Sequence, residues 1–529
     1  MSIPERPIAD DDVGIDRRLG IALVSFFLVA ISLPAVVQLV WEVAGDRPLQ
    51  ELDMFTRMPD LQAIKRYEDE LAKVSCVAEL ARPFTQLAQL TALNQGNENV
   101  MVGREGWLFF RPGAHYVTGF PFRSRYVGND AKARNWDPLP AILDFHRQLH
   151  EQGIELAVVP LPVKPQIYPE KLTRAYDTER GPPANSYAEE FFYELRDAGI
   201  AVFDLSEALW EAKEHGEMFL RLDTHWTPLG MKTAARALAE QLRLRYGLLF
   251  SNLPPPDVGV TIRTRRITRH GDNYYQLDLP EWSRAFAPQQ VMIEQVIDKR
   301  TGTAVARDNE DALICLLGDS FTNIYSRKEP NERGMRWGKG AGFGEHLMKE
   351  LGRKIQVIAV NGGAPSATRK RLARTGGLER RKLVIWSFAT RELIAPDTSW
   401  DFVAMPPGGK RDIRIGPVTV TARVRATSRA PRPRVDPYPD AITLTSYDVE
   451  EVETGEYGAE RLVAAEWVMR DFKLLGSADY RTGDTHRLTL IPYASKEKQS
   501  GLISEVKQLD DTNDYSPLFW VDSCEVLGK

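Results

Sequence analysis

The sequence predicts an α/β domain built on a mostly parallel sheet, carried behind an N-terminal membrane anchor and followed by a small β-domain. Three observations carry this. Short, continuous apolar runs alternate with helix-like stretches between about 138 and 388. A run of 23 residues near the N-terminus holds no charge. Beyond Asp440 strand signals dominate.

The elements follow in order. Arg17 and Arg18 precede the uncharged run Leu19–Trp41. As a helix it would reach roughly 34 Å at about 1.5 Å per residue, enough for a hydrocarbon core of about 30 Å. It is too long for a signal-peptide core and lacks a small-residue cleavage site, so it reads as an uncleaved anchor. The basic pair puts residues 1–18 in the cytoplasm and the residues beyond the anchor outside the cytoplasmic membrane, which in a two-membrane cell is the inner membrane facing the periplasm. Residues 42–94 read as a helical linker, with helix-like spacing over Glu51–Leu93.

A domain over 95–400 follows. Val102–Phe110 reads as a turn and an aromatic strand. Helices are expected over Ala141–Gln152, Ser186–Ala198 and Pro228–Leu244. Strands are expected at Ile154–Leu161, Ile200–Phe203, Ala312–Leu317, Ile355–Val360 and Lys382–Phe388. Apolar strands separated by helices indicate a parallel sheet covered on both faces. Residues 401–439 are rich in proline and read as a linker. The strands Ala441–Ser446, Arg461–Trp467 and His486–Pro492 define a β-rich accessory domain over 440–529.

Composition narrows the function. Hydrophobic residues at 43% and charged residues at 27% are ordinary globular values. With 68 Lys and Arg against 73 Asp and Glu, the net charge is −5, which argues against nucleic acid as a partner. Three scattered cysteines, Cys76, Cys315 and Cys524, suit neither a disulfide framework nor a four-thiolate zinc site. Cys315, inside an apolar strand, reads as a buried inert thiol.

The strongest chemical signal is the strand Leu316-Leu317 running into Gly318-Asp319-Ser320. Sites in open α/β sheets lie at the carboxyl ends of strands, so Ser320 stands where a nucleophile belongs. Its backbone N–H could serve an oxyanion. A serine needs a base. In Asp223-Thr224-His225-Trp226-Thr227-Pro228, Thr227 and Pro228 read as the N-cap and first residue of a helix. If the segment before them is extended, Asp223 and His225 point the same way. Asp223 could then orient His225 towards Ser320. Two readings stay open beside this one: Asp223 and His225 as metal ligands, and a purely structural pair. No third His or Cys falls at metal-ligand spacing, so no metal is expected.

Asn361-Gly362-Gly363 follows a strand; Asn361 could donate to an oxyanion and Gly362 lets backbone approach a substrate. A plain turn explains them equally well. Arg391 follows the last strand and could clamp a carboxylate such as that of a uronic acid, or pair with Glu392.

These residues together resemble the alginate O-acetyltransferase family, the AlgJ and AlgX type, whose members are SGNH-hydrolase-like. Gly103–Phe110, Pro162–Pro169 with Lys164 and Tyr168, and Trp386–Leu393 are similar to family segments. The resemblance covers roughly 95–400. It implies Ser320 as nucleophile, His225 as base and Asp223 as its orienter. Unlike ordinary SGNH hydrolases, Asp223 and His225 precede the serine. It also implies an extracytoplasmic polysaccharide as acceptor in exopolysaccharide biosynthesis, and a membrane-bound acyl-transfer partner supplying acetyl, with no cofactor. An esterase using the same three residues, and a non-catalytic polysaccharide-binding scaffold, are the competing readings.

Overall fold

The computed structural model describes residues 17–44, 75–119, 121–127, 137–326, 337–375, 378–394, 400–405, 416–433, 438–493, 495–496, 507–510, 514 and 516–528. Residues 1–88 and 89–529 form two compact units. In the first, the uncharged run lies in a 28-residue helix, Arg17–Ala44, with Pro34 inside it. It is long and apolar enough to cross a membrane. Of the helix expected over Glu51–Leu93, the part Cys76–Leu93 is helical; residues 51–74 lie outside the described residues.

The second unit holds a five-stranded sheet in the order Ala201–Val202, Glu155–Leu161, Leu383–Ala389, Ile314–Gly318, Ile355–Ala359. Every pairing in it is parallel. Ile314–Gly318 and Leu383–Ala389 are buried along their whole length. That is why they read as unbroken apolar runs rather than alternating ones. Flanking helices start where local chemistry dictates. Asp137 caps Pro138–His150 by accepting the Leu139 N–H at 3.1 Å. Thr227 caps Pro228–Arg245 by accepting the Gly230 N–H at 3.1 Å, with Pro228 in the first turn.

Two features depart from expectation. Val260–Arg269 and Gln289–Asp298 pair as an antiparallel ribbon. Val260–Arg269 is exposed along most of its length, so it carries no apolar pattern to read. The stretch 401–439 is not linker throughout: Val418–Thr427 is a strand paired with both Ala441–Thr454 and Thr485–Pro492. Its alternating Val418, Val420, Ala422 and Val424 all enter the core of the C-terminal domain. Arg461–Arg470 pairs with Ala441–Thr454 on one side and with Leu518–Gly528 on the other. Leu518–Gly528 in turn pairs with Thr485–Pro492. Five strands therefore close into a barrel around Tyr447, Leu462, Leu488 and Phe519.

Helix Ala364–Thr375 ties the barrel to the sheet. Arg374 makes an ion pair with Asp510 and donates to the Asp514 carbonyl at 2.8 Å. Lys370 donates to the Asp510 carbonyl at 2.6 Å and meets Asp401 at 2.7 Å.

Candidate active site

Strand Ile314–Gly318 delivers Ser320 to the start of a single helical turn, Ser320–Asn323. Asp319 locks this turn from both sides. Its Oδ1 accepts the Phe321 N–H at 2.9 Å, and its Oδ2 accepts the Ala389 N–H at 3.1 Å from the neighbouring strand.

Asp223 and His225 lie in a tight turn rather than the extended segment expected, bracketed by the bridge between Phe219 and Trp226. The alignment of their side chains comes from hydrogen bonding. Oδ1 of Asp223 accepts both the His225 backbone N–H at 3.0 Å and His225 Nδ1 at 2.7 Å, an Asx turn closed again by its own imidazole. His225 Nε2 stands 2.8 Å from Ser320 Oγ. With Nδ1–H committed to the carboxylate, Nε2 is the acceptor and the serine hydroxyl donates. All three residues are buried, Ser320 at 5% exposure.

The other oxygen of Asp223 accepts the Trp337 indole N–H at 2.9 Å and the Asp272 backbone N–H at 3.0 Å. Burial pushes the Asp223 carboxyl up, but hydrogen bonds from His225 and Trp337 and the imidazole's charge prevail and hold it below the usual carboxylate range. Asp272 behaves oppositely. Its burial, together with the Asp223 charge, pushes it up to about 6. Its Oδ2 is 3.6 Å from His225 Nδ1, and its Oδ1 accepts the Thr224 N–H at 2.6 Å. The close approach depends on Gly271, where a Cβ would lie 2.4 Å from that of Asp223. Sequence reasoning missed both Asp272 and Trp337.

The segments singled out for resemblance form the floor behind these residues. Lys164 Nζ donates to the Leu108 carbonyl at 2.6 Å and the Arg221 carbonyl at 3.2 Å. It sits over the Trp107 and Phe109 rings. Burial pulls its ammonium down to about 7, against the opposing charges of Asp223, Asp272 and Glu217. The Tyr168 hydroxyl accepts the Met218 N–H at 2.8 Å. On the far side, Tyr325 donates to the Trp226 carbonyl at 2.7 Å, stitching the two loops together.

Gly318 pairs with Ala359, so Ser320 and Asn361 each lie two residues beyond adjacent strand ends. Arg307 donates to Asn323 Oδ1 at 2.6 Å, and Asn323 Nδ2 donates to Asn361 Oδ1 at 2.7 Å. This chain fixes which end of the Asn361 amide accepts. Arg391 is buried, with its guanidinium over the Phe110 and Phe321 rings and Nε 3.5 Å from Glu392. Its Nη1 has no hydrogen-bond partner among the described residues.

Asp223, His225 and Asp272 each offer one ligand atom within 4.8 Å of the others, the one such group among the described residues. Those atoms are engaged with one another and with backbone and indole N–H donors, which a metal would have to displace. A cleft of about 720 Å³ lies elsewhere, beside Gly103–Gly106 and Leu172, and none of the three residues lines it.

A parallel sheet whose serine meets a His and an Asp from a separate loop defines an SGNH hydrolase-like domain. Residues 100–390 match the family model described as SGNH hydrolase-like domain, acetyltransferase AlgX, and the chain belongs to that family. Among curated relatives, the probable alginate O-acetylase AlgJ of Pseudomonas aeruginosa is 26% identical over 343 residues, 61% of this chain and 79% of that protein. Its counterpart in Pseudomonas putida is 32% identical over 301 residues, 53% and 70% of the two chains. The solved O-acetyltransferase domain of Pseudomonas putida AlgJ aligns at 22% identity with a TM-score of 0.42, covering 57% of this chain and 93% of that one.

Proposed function

We propose that this chain is an extracytoplasmic O-acetyltransferase that carries acetyl on Ser320 and passes it to a hydroxyl of an alginate-like polysaccharide. The observation that carries this reading is the run of contacts from Asp223 through His225 to Ser320. Family membership and the relatives' printed activity support the same chemistry.

His225 Nε2 takes the Ser320 proton as Oγ attacks the acetyl carbonyl of the donor. The tetrahedral oxyanion is met by the Ser320 backbone N–H and the Asn361 amide. His225 then gives its proton to the departing donor oxygen, leaving acetyl-Ser320. In the second half a sugar hydroxyl enters and His225 removes its proton. The sugar oxygen attacks the acyl carbon, and the proton returns to Oγ as the ester leaves. Asp223 stabilises the imidazolium in both halves. Arg391 offers its Nη1, which has no hydrogen-bond partner among the described residues, to a uronate carboxylate.

In this reading helix Arg17–Ala44 anchors the protein in the inner membrane with the catalytic part in the periplasm, and a membrane-bound acyl-transfer partner supplies acetyl. The test uses the full chain in detergent with 4-nitrophenyl acetate and short uronic-acid oligosaccharides. Acetylated sugar is expected from the wild type and not from Ser320→Ala. Serine-dependent ester cleavage without sugar product would establish an esterase instead. No serine-dependent reaction would overturn the reading.

A further inference from the structure

Ser320 is covered, and what covers it comes from outside the catalytic sheet. Tyr438 lies just ahead of the barrel strand Ala441–Thr454. Its ring rests on Gly362, which has a φ of +55°. A Cβ there would lie 2.2 Å from Tyr438 Cε2 and 2.8 Å from its hydroxyl oxygen. The Tyr438 hydroxyl faces the Ser320 side chain and the Arg391 guanidinium. Ser320 has one proton, and His225 Nε2 takes it. Towards Ser320, Tyr438 can therefore act only as donor.

The chain around Tyr438 is tied to the barrel. The Pro439 carbonyl accepts the Phe472 N–H at 2.8 Å, and the Asp440 carboxylate accepts the Asp471 N–H at 2.9 Å. Pro439 also restricts Tyr438 to extended backbone. The barrel is in turn held to the catalytic domain through Arg374 and Lys370.

We propose that Tyr438 is an oxyanion donor of the acyl-transfer site, so that the site is complete only when the barrel is docked against the catalytic domain. A hydroxyl that lies over Gly362, facing Ser320 and next to Asn361, is a short shift from the oxygen of an acyl carbon bonded to Oγ. Burial holds the phenol above its ordinary value, outweighing the Arg391 charge, so its proton is present to donate at neutral pH. No bond to Tyr438 forms or breaks; it gives a hydrogen bond to the negative oxygen and keeps its proton. The inference rests on Ser320 carrying the acyl group.

The test is steady-state hydrolysis of 4-nitrophenyl acetate by the full chain in detergent, comparing wild type, Ser320→Ala and Tyr438→Phe. Tyr438→Phe keeps the ring on Gly362 and removes only the donor. It is expected to lose about 100-fold in kcat with KM nearly unchanged, as for deletion of one oxyanion contact. Unchanged or increased kcat in Tyr438→Phe, with wild-type activity abolished by Ser320→Ala, would overturn this proposal alone and make the phenol an obstruction. Absence of serine-dependent turnover in the wild type would overturn the reading of Ser320 and this proposal with it.

Discussion

The backbone N–H of Asp272 donates to the Asp223 carboxylate at 3.0 Å, while the side chain of Asp272 faces the same imidazole from 3.6 Å. Two carboxylates thus flank His225 Nδ1, and only Asp223 is within hydrogen-bonding distance of it.

That asymmetry predicts unequal kinetic roles. Asp223→Asn removes the charge that stabilises the imidazolium and favours the wrong tautomer, and is expected to lower kcat by about 1,000- to 10,000-fold. Asp272→Asn keeps an acceptor for the Thr224 N–H and leaves the Asp223 to His225 bond in place. Its kcat should fall by no more than about tenfold. Ester hydrolysis by the two variants checks this; equal losses would make Asp272 an equal partner.

The same pair predicts a pH signature in stability. The Asp223 carboxyl is lowered, so its contribution is present above the unfolded value of 3.8 and lost as pH falls below it. The Asp272 carboxyl is raised to about 6, so ionising it weakens the fold above that pH, and the penalty is relieved as pH falls from about 6 towards 3.8. Lys164, lowered to about 7, works in the opposite direction: protonating it is harder in the fold, so stability falls as pH drops from 10.5 towards about 7 and changes little below that. Thermal melting of wild type and Asp272→Asn at a series of pH values isolates the carboxylate. The wild type should gain on the variant between pH 7 and 5. A constant difference would show that Asp272 does not titrate there.

Lys164 is expected to be structural. Lys164→Met takes one of two donors from each of the Leu108 and Arg221 carbonyls, which keep the Asn273 amide at 3.3 Å and the Leu108 N–H at 2.9 Å, and it removes the cation facing two buried carboxylates. The loss should be about 2–4 kcal/mol, read by denaturant unfolding. A loss well under 1 kcal/mol would mean that water replaces the ammonium.

Chelation separates the remaining reading of the cluster. Prolonged treatment with EDTA should leave serine-dependent hydrolysis unchanged. Strong inhibition, restored by a divalent cation, would make Asp223, His225 and Asp272 metal ligands.

Much of this site was legible because its parts are local. An apolar strand ending in Gly318-Asp319-Ser320 marks its own end, and Asp223 and His225 are close enough in sequence to be read together. An extended segment would align that pair; the chain turns there instead, and the two side chains still face each other. Asn361 and Arg391 were legible as strand-end residues. Asp272, Trp337 and Tyr438 were not, because each reaches the site by tertiary folding from a stretch without apolar periodicity. Gly271 was the available hint for Asp272, and it reads as an ordinary turn. Val418–Thr427 was hidden by the prolines around it. The ribbon Val260–Arg269 with Gln289–Asp298 was hidden by its solvent exposure.

The central strand of the catalytic sheet, Leu383–Ala389, is also the last of its five to appear in the sequence. It joins Glu155–Leu161 to Ile314–Gly318, and its final residue, Ala389, supplies one of the two N–H groups that lock Asp319 beside Ser320. A chain emerging from its N-terminus therefore carries two unjoined halves until nearly 390 residues are out. Until that strand is in, Asp319 lacks the Ala389 N–H, and the turn that presents Ser320 is held from one side only.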